Sequence, residues 1–131
     1  MNWKIILYLS LASIVIGVAS VFGIFNSNFM PLVMLIFSVV SGYVIAKKSN
    51  TQLFMNGVLV GLFSGILISV IQAVMFDTYL LNNKESLDGF TNITGAMPTT
   101  SVIIFLGPFI GLIYGIIAGM VASKIYKSNK K

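Results

Sequence analysis

Four stretches of this chain carry no charged side chain, and each is long enough to cross a lipid bilayer: Ile5 to Phe25, Phe29 to Ala46, Leu53 to Phe76 and Ser101 to Ser123. A helix needs roughly 20 apolar residues to span about 30 Å of hydrocarbon. Only 8% of the residues are charged and 57% are apolar, against about 25% charged in ordinary soluble domains. A water-facing surface cannot be built from such a sequence. The expectation is an all-α membrane protein, a single domain over residues 1–131 with four transmembrane helices arranged as two hairpins. The short connections at Asn26-Ser27-Asn28 and between Lys47 and Gln52 leave room only for tight turns. An outer loop over 77–100 and a basic tail over 124–131 complete the chain.

The lysines orient it. Lys4, Lys47, Lys48, Lys124, Lys127, Lys130 and Lys131 share one side of a four-span chain, and Lys84 alone falls on the other, beside Asp77, Glu85 and Asp88. Cytoplasmic loops carry the excess of basic residues, so both termini are expected in the cytoplasm. A signal peptide is the competing reading of the first block, with Lys4 as its basic region and Val18-Ala19-Ser20 as a small-residue cleavage motif. The apolar run continues to Phe25, longer than a typical signal core, which favours a retained span.

Shifting the sequence by 77 residues lays Pro31 on Pro108, Gly42 on Gly119 and Lys47 on Lys124. The second and fourth spans thus share an early proline, a late small residue and a cationic stop. The first and third align poorly. A tandem hairpin repeat about an axis along the membrane normal would account for the match.

Small residues recur every four positions in two spans. Gly57, Gly61, Gly65, Ser69 and Ala73 form one line, and Gly107, Gly111, Gly115, Gly119 and Ser123 form another. Residues four apart lie nearly above one another on a helix, so each line is a groove without side chains. Lipid supplies no hydrophobic drive for helix pairing, and close backbone approach with dispersion takes its place. The grooves are therefore expected to pack the third helix on the fourth, or one subunit on another; a glycine-lined pore is the alternative. Pro108 removes a backbone donor and is expected to bend its helix.

Chemistry is sparse. The absence of cysteine and histidine excludes disulfides, thiolate catalysis and most zinc sites. No cofactor is implied. Asn56 and Gln72 are the strongest polar groups within a span, and sixteen residues place them about 24 Å apart, too far to share a ligand. Both read as interhelical hydrogen-bonding groups. Asp77 reads as an interfacial charge ending the third helix, and no acid–base or nucleophile–base pair can be assembled. Asn92-Ile93-Thr94 fits the glycosylation pattern. The net charge of +5 comes from lysines at span ends, the pattern of headgroup contact and topology rather than of nucleic-acid binding.

The stretches Gly42-Tyr43-Val44-Ile45-Ala46-Lys47 and Gly57-Val58-Leu59-Val60-Gly61-Leu62-Phe63-Ser64-Gly65 resemble a pattern in small four-helix prokaryotic membrane proteins of unknown function, with glycine-spaced helices. The resemblance implies a fold and a membrane address, and no activity; the expected location is the inner (cytoplasmic) membrane. Small multidrug-resistance transporters differ by an embedded glutamate in their first helix, and small fluoride channels by an arginine in a glycine-rich motif; this chain has neither. The expected role is non-enzymatic: packing, self-association or binding of another membrane protein within the bilayer. An oligomeric channel or transporter is the alternative, and a membrane permeabiliser the second.

Overall fold

A computed structural model describes residues 1–25, 29–84 and 99–129. The chain forms α1 (Trp3–Val21), α2 (Met30–Lys48), α3 (Leu53–Val74), α4 (Phe76–Asn82) and α5 (Thr99–Ser128), with no strand among the described residues. All but α4 are long and apolar enough to cross a membrane. The polar turn at 26–28, Glu85, Asp88, the Asn92-Ile93-Thr94 motif, Lys130 and Lys131 lie outside the described residues.

Local chemistry sets the helix ends. The Asn2 side chain accepts the Ile5 N–H at 3.4 Å and starts α1. The apolar run reaches Phe25, yet α1 stops at Val21. Gly23 takes a φ of +70°, its N–H donates to the Ser20 carbonyl, and the Ile24 N–H donates to Ala19, both at 3.1 Å. That pair of bonds is a Schellman ending, which needs a left-handed residue best supplied by glycine. In α2, proline occupies the first turn and Lys47 and Lys48 the last, where cations suit the helix dipole.

The segment expected as an outer loop from Asp77 begins instead as a helix. α3 ends at Val74, and α4 follows with Asp77 in its first turn, where a carboxylate is favoured. Asn82 and Asn83 each donate from Nδ2 to a carbonyl one turn back, Thr78 at 2.8 Å and Tyr79 at 3.0 Å. The same amides reach across to the end of α1, at Val21 and Ser20. At the other end, α5 continues to Ser128, so Lys124 and Lys127 ride on a helix about 45 Å long at 1.5 Å per residue. They do not belong to a loose tail.

The helices pack in the order α1–α3–α5–α2. α1 runs parallel to α3, with Asn2 beside Asn56 and Ser20 beside Gln72. α2 runs parallel to α5, with Tyr114 against Pro31 and Gly42 against Ala118 and Val121. α3 and α5 are antiparallel. The N-terminus, the α2–α3 turn and the end of α5 therefore share one end of the bundle, with Lys4, Lys47, Lys48, Lys124 and Lys127; Asp77 and Lys84 lie at the other.

The tight α1–α2 pairing expected from their short connection is not the dominant contact, because these two helices meet only sparsely. The most extensive contact joins α3 to α5, across the longest connection. Where lipid offers no hydrophobic drive, the faces that allow closest approach decide pairing, and those faces are on α3 and α5. A two-fold axis along the membrane normal would set α1 diagonal to α3 and α2 diagonal to α5. Each instead lies beside its counterpart, so the sequence match of α2 and α5 does not extend to that symmetry.

Candidate functional site

The two glycine lines face each other. A Cβ built on Gly57 would collide with the Gly119 backbone, on Gly61 with Gly111 and Gly115, and on Gly65 with Gly107 and Gly111, while one on Gly107 would meet Ser69. The lines thus run antiparallel in matched register along the α3–α5 seam, backbone on backbone. Pro108 lies inside α5, half-buried beside Gly107, and leaves the Ile104 carbonyl without its usual intrahelical donor.

Asn56 is fully buried at the lysine end. Its Oδ1 accepts the Asn2 N–H at 3.2 Å, and its Nδ2 donates to Ser49 Oγ at 2.9 Å and to the Thr51 carbonyl at 3.1 Å. One carboxamide therefore ties the start of α1 and the α2–α3 turn to α3. The turn needs the tie, since Gln52 holds a left-handed φ of 50° that costs a residue with a Cβ roughly 1–2 kcal/mol. Above this knot, Ile6, Leu9, Ile45, Ala46, Val60 and Ala122 form one apolar cluster contributed by all four long helices. The lysine end is closed.

The opposite end, among the described residues, is not. A cavity of about 320 Å³ opens between the α1–α3 and α2–α5 pairs. One wall is polar and internally bonded: Gln72 Nε2 donates to Ser20 Oγ at 3.0 Å, and Asn83 Nδ2 donates to the Ser20 carbonyl at 3.1 Å. Tyr79 completes this wall; burial pushes its hydroxyl pKa up, which keeps it a protonated donor. The facing wall is Met30, Met34, Ile103, Leu106 and Ile110, and Gly65, Gly107 and Gly111 of the seam form the floor. Among the described residues, no charged side chain lines it.

No family of known proteins, no curated protein and no solved structure matches this chain. Function must be read from the geometry.

The sequence singled out Asn56 and Gln72, and the structure holds them at opposite ends in different roles: one in the knot, one in the cavity wall. Asp77 is exposed and lines no part of the cavity. Sequence reasoning missed Ser20, Tyr79 and Asn83 as a group. Their signal was weak, since three common residue types converge from α1, α4 and the end of α4. Four buried serines, Ser13, Ser20, Ser38 and Ser69, bond back to the preceding turn. Ser10, Ser41 and Ser64 are buried with no hydrogen-bond partner at their hydroxyls, and Ser41 and Ser64 border a second cavity of about 10 Å³.

Proposed function

We propose that this chain is a non-enzymatic four-pass protein of the cytoplasmic membrane, with both ends in the cytoplasm, that acts by binding within the bilayer rather than by conducting solutes. The observation that supports this most is the matched glycine seam. Both small-residue faces are occupied by each other in one chain, so neither is left to recruit a second copy, and they border the large cavity only at Gly65, Gly107 and Gly111. The apolar cluster at the lysine end supports the same reading, because the cavity ends blindly above it. Clustering of Lys4, Lys47, Lys48, Lys124 and Lys127 at that end supports its cytoplasmic placement.

Two measurements test this. In reconstituted liposomes, ion and small-solute leak should stay at the level of protein-free vesicles; protein-dependent flux would overturn the binding reading in favour of a channel or carrier. The chain has no cysteine, so single cysteines report orientation cleanly. Ser49 is buried and bonded, whereas Asn50, Lys84 and Ser128 are exposed. Asn50→Cys and Ser128→Cys should be shielded from an impermeant thiol reagent in intact cells and Lys84→Cys labelled; the reverse pattern refutes the orientation.

A further inference from the structure

We infer that the cavity between the α1–α3 and α2–α5 pairs is a binding site for an uncharged amphipath, with its hydrogen-bonding head against the Ser20–Gln72–Tyr79–Asn83 wall and its apolar body against α2 and α5. This rests on the binding reading above and specifies what is bound.

Size comes first. Ligand sites fall at about 300–1,000 Å³, and an apolar cavity of about 150 Å³ already takes benzene. At about 320 Å³ the space suits a body roughly twice that size. Charge comes next. With no ionised side chain among the described residues of the lining, a carboxylate or ammonium buried there would have no counter-ion among them, which is unfavourable. A neutral head meets hydroxyl and carboxamide groups instead. Gln72 uses one N–H on Ser20 and retains a second N–H and a carbonyl oxygen, and the Tyr79 hydroxyl donates. An alcohol, ester or amide matches that set. A purely apolar ligand would leave it unanswered.

The facing wall completes the fit. Met30 and Met34 are flexible thioethers that adapt to irregular apolar shapes, and Ile103, Leu106 and Ile110 offer no polar atom. Gly65, Gly107 and Gly111 present backbone to the cavity beside Ile68, Ser69 and Tyr114, so an apolar chain can approach the seam there. The exposed faces of α1 and α2 are apolar, with Val15, Val18, Leu32 and Ile36 among them.

The test uses the full chain in nanodiscs and a diazirine-bearing long-chain alcohol, with the carboxylate and ammonium of equal length beside it. Mass spectrometry after photolysis should place the alcohol on cavity residues such as Met34 and Ile110. Excess unlabelled alcohol should compete it away, with little competition by the charged analogues. Gln72→Leu should weaken uptake about tenfold, as for one lost buried hydrogen bond, and labelling of the unaltered chain stands should that variant misfold. Unsaturable label spread over lipid-facing residues such as Val15 and Ile113 would overturn the site. Equal uptake of the carboxylate or ammonium would overturn the ligand class. Native mass spectrometry of protein purified without probe separates the sources: a retained neutral lipid identifies the bilayer, and empty protein that takes up the alcohol identifies a free amphipath. Solute flux with saturable labelling would remove the non-conducting reading and leave this site standing.

Discussion

Replacing Gly61 by alanine adds one methyl group, and the seam has no room for it. The added Cβ would fall against the Gly111 carbonyl oxygen and the Gly115 backbone, closer than the 3.0 Å below which real Cβ atoms essentially never come. These are backbone atoms, so no side chain can swing aside and the helices must separate. Separation also loosens the flanking levels at Gly57–Gly119 and Gly65–Gly111. Overpacking costs about 1–3 kcal/mol, and the rigid partner places Gly61→Ala near the top of that range. For a chain of this size the fall in Tm is then on the order of 10 °C. In an exposed helix the same change would stabilise by up to about 1 kcal/mol, so the sign itself is diagnostic. Gly17→Ala is the control. Its nearest neighbour is the Ile71 Cδ1 methyl at 3.0 Å, the free end of a flexible side chain, and its Tm should move by only about 2 °C. Thermal unfolding in detergent, followed by circular dichroism, reads both. If Gly61→Ala is neutral or stabilising, backbone contact does not hold α3 to α5.

Other expectations follow from single groups. Asn56→Ala removes three hydrogen bonds from the closed end and should cost about 2 kcal/mol at the modest per-bond values found in membranes; an unchanged Tm would refute its role as a tie. Gln52→Gly relieves a left-handed φ and should stabilise by about 1 kcal/mol, and a lower Tm would contradict that strain. Ser41→Ala and Ser64→Ala each remove a buried hydroxyl without a partner and should be neutral to stabilising by about 1 kcal/mol. A clear loss would instead point to a bridging water, since the adjoining cavity is near the lower size limit for one. Pro108→Ala restores a donor to the Ile104 carbonyl and should slow hydrogen exchange around that turn; unchanged exchange would show that no bend follows from the proline.

Much of the architecture was legible because bilayers restrict the options. Charge-free length located the four long helices within a few residues, and four-residue spacing located the faces of α3 and α5. Boundaries failed where backbone chemistry overrode apolarity, as at Gly23, whose left-handed turn stops α1 short of Phe25. Helix α4 was hidden because one short helix with Asp77 in its first turn looks like loop composition. Pairing was legible in part: the glycine faces pointed to the contact of α3 with α5, whereas the short α1–α2 connection suggested a contact that is sparse. The cavity was beyond reach, because Ser20, Gln72, Tyr79 and Asn83 become a group only after α1 is laid parallel to α3.

Spin labels at Met55 and Met120 test the pairing of α3 and α5 within one chain most directly. Both side chains are exposed, and they flank the level where Gly57 meets Gly119. Double electron–electron resonance should give a single short distance, unchanged when the doubly labelled protein is diluted with unlabelled chain. A long or broad distribution, or a short distance whose share falls on dilution, would show that the glycine faces meet between chains or not at all.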